Sequence, residues 1–221
     1  MNRGGGFFSS IPVVTKNLII INVLVWLVDL ILNSKSILIN GLPLYQYTGL
    51  HYFSSDLFMP HQLITYMFVH GGFSHMFFNM FAVFMFGRTL ETVWGPKRFL
   101  IYYLITGIGA GLTQELVWAF QLSTPFEITY SLTVGASGAV FGILLAFGML
   151  FPNAELMIIP IPIPIKAKYF VIGYGVLELF LGIASFSGDS VAHFAHLGGL
   201  VFGLILVLYW KKTNKTNGRF Y

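Results

Sequence analysis

One serine, four histidines and one asparagine stand in or beside largely apolar sequence, where polar side chains are costly and turn toward the protein interior. The serine, Ser137, lies in Thr133 to Leu150 (TVGASGAVFGILLAFGML) between Gly135 and Gly138, and about 14 mostly apolar residues follow before Pro152 and Asn153. A hydroxyl in the first turn of a helix sits among backbone N–H groups that lack intrahelical acceptors. Ala136, Ser137 and Gly138 can therefore offer donors to a developing oxyanion. Serine becomes a nucleophile at neutral pH beside a base, usually histidine. His196 is the candidate, because 14 residues separate it from Trp210, the count that separates Ser137 from Phe151. At ~1.5 Å per residue both lie roughly 21 Å from one end of their helices, or ~9 Å below one surface of a ~30 Å hydrocarbon core.

His75 lies at a similar depth, 13 residues before Arg88, and Asn79 shares its helix face four residues on. Both can donate side-chain hydrogen bonds to an oxyanion. Phe141, one turn after Ser137, is placed to stack on the imidazole and orient it without an aspartate. No acidic residue is expected beside the pair. Glu178, well inside the fifth apolar stretch, is read as a hydrogen-bonded structural group, and His193, one turn further out than His196, as secondary. The parts describe an acyl-transfer site.

Three rivals use the same residues. Gly135, Ala136, Ser137, Gly138 and Gly142 are also what close helix packing in membranes selects, and the match to G-x-S-x-G fails at Ala139. His193 and His196 form H-x-x-H, to which His70 and His75 could add ligands, but there is no HExxH, and no carboxylate is expected at the right depth. The four histidines could instead line an ion or proton pathway, which would leave the glycine-flanked serine unexplained.

The elements that must position these groups are membrane helices. The 221 residues are 56% hydrophobic and 9% charged, with mean hydropathy +0.78, far from the ~25% charged of soluble domains. Six stretches are long or apolar enough to cross, at about Asn17 to Leu32, Ser74 to Phe86, Phe99 to Phe120, Ser137 to Phe151, Tyr169 to Phe186 and Val191 to Trp210. With both termini cytoplasmic, eleven of the twelve basic residues fall inside and only Lys35 outside. The charge of +4 thus reads as membrane orientation, with the basic tail attracted to anionic lipid and no pattern for nucleic acid. The absence of cysteine excludes disulfides, thiolate metal sites and a cysteine nucleophile. Met1 to Thr15 shows no cleavable signal pattern, so the first segment is expected to remain as an anchor.

The connection from Asn33 to Gln62 is too long for a plain loop, and its tyrosines and phenylalanines suit a lipid–water boundary. LETVWGPKRF reads as a cytoplasmic turn with Arg88, Glu91, Lys97 and Arg98 solvated. Gly107 and Gly111 mark a packing face, and Trp118 to Tyr130 an outer loop. Alternate prolines at 160, 162 and 164 forbid a helix and favour an extended strap. Gly188 and Asp189 close the fifth helix on the outside. Gly138, Gly142 and Ala146 recur at spacings of four, as do Ala195, Gly199 and Gly203, so the fourth and sixth helices can approach closely.

GASG at Gly135 to Gly138, the spacing of His70, His75 and Asn79, and AHLGGLVFG from Ala195 to Gly203 together resemble the rhomboid intramembrane serine proteases. The resemblance covers roughly Lys16 to Lys211. It implies Ser137 as nucleophile, His196 as general base, His75 and Asn79 as oxyanion stabilisers and His70 as a structural residue, with the loop after the first helix lying partly in the membrane. Two positions depart from the pattern. Some relatives carry Trp-Arg where this chain has His61-Gln62, and some carry tyrosine where Phe141 stands.

The expectation is an all-α polytopic membrane protein: a six-helix rhomboid-like bundle over 16–211, with a long interfacial loop, a short N-terminal segment 1–15 and a basic tail 212–221. It would sit in a bacterial inner membrane, take transmembrane proteins as substrates, require no cofactor or metal, and hydrolyse peptide bonds in or near transmembrane segments. The alternatives are a catalytically silent relative that binds membrane helices, and the histidine-lined pathway.

Overall fold

The computed structural model describes residues 10–121, 124–158, 161–184 and 191–215. The first helix, α1 (Val13–Ser34), starts after Pro12 without a side-chain cap of its own. Its free N–H groups meet a carboxylate from far along the chain: Val14 N–H and Thr15 N–H donate to Glu91 at 2.9 and 2.7 Å, and the Thr15 hydroxyl donates at 2.7 Å. A helix N-terminus attracts negative charge, and Glu91 is buried there. This corrects the reading of Glu91 as a solvated charge.

After α1 the chain makes a short helix α2 (Leu44–Thr48), an irregular stretch, and α3 (Gln62–Thr65), which passes into a 3-10 turn over Tyr66–Phe68. The second apolar stretch then runs without a break through α4 (Phe73–Ala82), a π turn over Val83–Gly87 and α5 (Arg88–Trp94). The expected turn at LETVWGPKRF therefore shrinks to Gly95, whose φ of +79° glycine adopts without strain. Pro96 opens α6 (Pro96–Gln121), needing no N–H at that position.

The predicted outer loop is shorter than expected, because α6 continues through Trp118 and a helix α7 (Pro125–Tyr130) follows, closed by a Thr124/Glu127 capping box. Next comes α8 (Ser137–Leu150). The proline-rich strap is a hairpin, β1 (Glu155–Ile158) against β2 (Ile161–Lys166), pairing Glu155 with Lys166 and Met157 with Pro164. The strap is extended as expected, since prolines that forbid a helix are tolerated in a two-stranded edge, and this hairpin is a small addition to a mostly helical fold. The chain ends in α9 (Ala167–Ala184) and α10 (His193–Lys215). Gly188 and Asp189 lie outside the described residues.

Four helices, α1, α6, α9 and α10, are long and apolar enough to cross a membrane, and α8 is a shorter apolar helix. Nine of the fourteen residues of α8 are buried. A helix apolar all round belongs in the interior, and α8 sits there between α6 and α10. Its contact with α10 is backbone on backbone: a methyl group on Gly199 would strike the Gly138 carbonyl, and one on Gly203 would come within 3.3 Å of Gly142 Cα. On the α6 side Tyr102 donates its hydroxyl to the Gly142 carbonyl at 2.8 Å. By contrast α9 buries only Ala167, Val171 and Glu178. Gly107 packs on Met67, and Gly111 on Tyr66 and Leu50, so this face meets the 3-10 turn and the connection before it.

Candidate active site

Ser137 is the first residue of α8, so its N–H has no intrahelical acceptor. The turn before it is fixed from two sides. Leu50 and Thr133 exchange backbone hydrogen bonds at 2.9 Å, tying the long connection to this segment, and Gly135 N–H donates to the Tyr66 carbonyl at 2.9 Å. Tyr66 in turn donates its hydroxyl to the Gly107 carbonyl at 2.6 Å. Gly135 has φ +119°, and a Cβ there would lie 2.6 Å from His75 Nε2. Only glycine gives both the backbone conformation and the space for that ring.

The close approach of α8 and α10 brings Ser137 Oγ to 2.8 Å from His196 Nε2. The Phe141 ring lies flat on the imidazole, with centroids 4.3 Å apart and planes 10° apart, and Tyr174 of α9 lies beyond it at 4.9 Å. Ser137, His196, Phe141, Gly135, Gly138, His75 and Asn79 all line one cavity of about 710 Å³, together with exposed Gly71, Ser74 and Phe78 at its edge. Leu132, Val134, Val140 and Leu144 make its walls largely apolar.

The other polar groups take distinct positions. Asn79 Nδ2 donates to the His75 carbonyl at 2.9 Å, which uses one of its two amide hydrogens. His70 does not line the cavity. It stands behind the serine turn, accepting from Ala136 N–H at 3.4 Å, with its ring edge-on to His75 at 5.0 Å. The Ala136 N–H is thus directed to His70, and of the backbone donors expected at this turn those of Ser137 and Gly138 remain for an oxyanion.

The expectation that no acid lies beside the pair is wrong. Glu178, buried on α9, accepts with one oxygen, Oε2, from His196 Nδ1 at 2.9 Å and from His193 Nδ1 at 2.6 Å. The depth count used for Ser137 and His196 could have found it. Glu178 lies six residues before the end of α9 and His196 three after the start of α10, which is roughly 9 and 4.5 Å at ~1.5 Å per residue, a gap within reach of a glutamate.

Glu178, His193 and His196 also have ligand atoms within 4.8 Å of one another, so a carboxylate does accompany the histidines, contrary to the sequence-based expectation. The geometry fits hydrogen bonds better than a metal. Two ring nitrogens at 2.6 and 2.9 Å from a single oxygen are closer than the roughly 3.3 Å between neighbouring ligands of a tetrahedral zinc.

Residues 58–212 match the family model for the rhomboid domain. The chain belongs to the rhomboid family. It is similar to the putative rhomboid protease YdcA of Bacillus subtilis, 33% identical over 147 residues that take in 66% of this chain and 64% of that protein. Rhomboid protein 1, mitochondrial, of Saccharomyces cerevisiae is 31% identical over 152 residues, 66% of this chain and 40% of the relative. Rhomboid protease AarA of Providencia stuartii is 29% identical over 151 residues, 63% and 52% of the two chains. Each match thus takes in less than two thirds of the relative's own length.

In this rhomboid domain the His61-Gln62 pair, where some members carry Trp-Arg, organises the long connection. Gln62 is fully buried. Its Oε1 accepts from Met59 N–H and His51 N–H at 3.1 and 3.3 Å, and its Nε2 donates to the carbonyls of Leu57 and Tyr47 at 2.9 and 3.3 Å. His51 is buried beside it with Nε2 at 3.1 Å from the Gln46 carbonyl. Burial pushes this imidazole below its ordinary value, and because a carbonyl only accepts, it is Nε2 that donates.

Proposed function

We propose that this rhomboid chain is an intramembrane serine endopeptidase in which Ser137 is the nucleophile and His196 the general base. The supporting observation is the 2.8 Å contact between Ser137 Oγ and His196 Nε2 on the wall of an open, largely apolar cavity. Proton transfer needs heavy atoms about 2.6–3.2 Å apart. Ser137 Oγ attacks the scissile carbonyl as its proton passes to His196 Nε2, and the imidazolium returns that proton to the leaving amine. Water then hydrolyses the acyl-serine by the same base. The oxyanion is received by the N–H of Ser137, with His75 and Asn79 as side-chain donors from α4.

The substrate reading follows from the walls. Leu132, Val134, Phe78 and Val140 suit an apolar segment, and a transmembrane helix must unwind locally to present its carbonyl, which glycine and other helix-weakening residues ease. The scaffold is read as six spans. The continuous helical run from Phe73 to Trp94 and the buried α8 supplement the four long apolar helices. Eleven basic residues on one side support cytoplasmic termini and, for a bacterial host, the inner membrane. Accessibility of terminal tags from the two sides of sealed vesicles tests that orientation.

Purified protein in detergent or bilayers should cleave transmembrane test substrates and be labelled by a fluorophosphonate at Ser137. Ser137→Ala and His196→Ala should each abolish turnover while leaving thermal unfolding near that of the parent. Cleavage that survives Ser137→Ala would refute the assignment.

A further inference from the structure

We infer that Glu178 is a positioning residue for the general base, so that the site works as a Ser137–His196–Glu178 relay anchored by His193. The inference rests on the protease reading above and goes beyond its two-residue site. A carboxylate is an acceptor only, so Oε2 can satisfy both contacts only if His196 and His193 each carry hydrogen on Nδ1. His196 then presents a bare Nε2 to the Ser137 hydroxyl at 2.8 Å. The opposite tautomer would place a hydrogen on Nε2, and the ring could not take the serine proton. Stacking on Phe141 fixes the plane of the imidazole, but a flat ring in that plane can still flip or tautomerise. Only the Nδ1 contact decides which nitrogen carries the hydrogen.

The second effect is electrostatic. When Ser137 Oγ bonds to the substrate carbon, its proton moves to His196 Nε2, leaving an imidazolium beside a carboxylate and an oxyanion at the Ser137 N–H. In a low-dielectric interior an isolated imidazolium is expensive, and a hydrogen-bonded counter-charge 2.9 Å away offsets that cost. His193, donating to the same oxygen at 2.6 Å, holds the carboxylate where it can meet His196 Nδ1. The groups that face His196 are Glu178 and Tyr174 from α9, His193 on its own helix, His75 from α4, and Ser137 and Phe141 from α8, while α6 brings Tyr102 near Gly203 further down the helix. Among the described residues Glu178 is the one carboxylate in this set.

Glu178 also ties the outer half of α9 to α10, because the other buried residues of α9, Ala167 and Val171, lie at its opposite end. The experiment must therefore separate positioning from tethering. In Glu178→Gln the amide keeps the shape but can donate to Nδ1, favouring the wrong tautomer. We expect kcat on a transmembrane test peptide to fall on the order of 10³-fold, below the ~10⁴ that the wrong tautomer costs a full Ser-His-Asp triad because Phe141 still holds the ring. KM should stay within about threefold, and the acid limb of the pH–rate profile should move to lower pH. Glu178→Asp should recover kcat to within about tenfold of the parent and restore the limb. A simple tether would lower activity equally in both variants and leave the limb in place, which would overturn the inference, as would an unchanged kcat in Glu178→Gln.

If the glutamine variant does not fold, the parent still decides the matter. In its ¹⁵N spectrum with labelled histidine, the signals lost in His196→Ala must be those of an Nδ1–H tautomer, and an Nε2–H tautomer would overturn the inference. Loss of the protease reading is a different result: a parent that does not cleave, or a Ser137→Ala variant that does.

Discussion

Gly199→Ala tests the distance on which the site depends. A methyl group at this position would lie 2.8 Å from the Gly138 carbonyl carbon, and closer still to its oxygen. Carbon atoms settle at about 3.5–4.0 Å. Both partners are helix backbone, which cannot rotate away like a side chain, so α8 and α10 must part by roughly 0.7 Å or more. Ser137 immediately precedes Gly138, and His196 lies one turn before Gly199, so the separation opens at the reacting pair. A Ser137–His196 contact of 2.8 Å would stretch to about 3.5 Å or beyond, outside the ~2.6–3.2 Å range for proton transfer. A misplacement of about 1 Å costs on the order of 10²-fold in rate.

The assay is fluorophosphonate labelling of Ser137 beside kcat on a transmembrane peptide, with thermal unfolding measured on the same preparations. Labelling and turnover should both fall by about 30–100-fold, and overpacking should cost about 1–3 kcal/mol of stability. Gly173→Ala is the control. Nothing lies within 4 Å of a Cβ at that exposed α9 position, so activity should hold while the helix gains up to about 1 kcal/mol. If Gly199→Ala labels Ser137 at the parental rate with an unshifted melting curve, close backbone approach is not what sets the site, and the reasoning fails.

Two further substitutions probe the supports. Gln62→Ala leaves the Leu57 carbonyl and the Met59 and His51 N–H groups without their buried partner, and the Tyr47 carbonyl with His61 Nε2 alone. At about 1 kcal/mol for each well-made bond, a loss of roughly 2–4 kcal/mol is expected in thermal unfolding, together with faster proteolysis between Leu50 and His61; unchanged proteolysis would show that Gln62 does not hold the connection. Glu91→Gln keeps an acceptor at the start of α1 but removes the charge that receives Val14 N–H, Thr15 N–H and the Thr15 hydroxyl. It should lower stability by about 1–2 kcal/mol with Ser137 labelling unaltered once folded, and equal unfolding midpoints for the two proteins would count against the cap.

The membrane character, the places of the apolar helices and the approach of Ser137 to His196 were legible in the chain, because each follows from one-dimensional quantities: hydropathy, the fixed rise of a helix, and glycine and proline as stops. Ser137 at the head of α8 and the small residues of α8 and α10 belong to that class. Rotation of a helix about its own axis is not fixed by depth. Glu178 was expected to be hydrogen-bonded, but its place beside His196 was missed, because only the packing of α9 on α10 turns its carboxylate toward two imidazoles. Glu91 looked solvated for the same reason, since its partners at the head of α1 lie 76 and 77 positions away. Prolines excluded a helix between α8 and α9 but could not reveal that Glu155 would pair with Lys166. What sequence alone determined is which residues lie in apolar helices and how far along its helix each one stands. Which of them touch was decided by tertiary structure, because a contact needs both azimuth and distance, and those are set by the backbone-on-backbone fit of glycines from different helices.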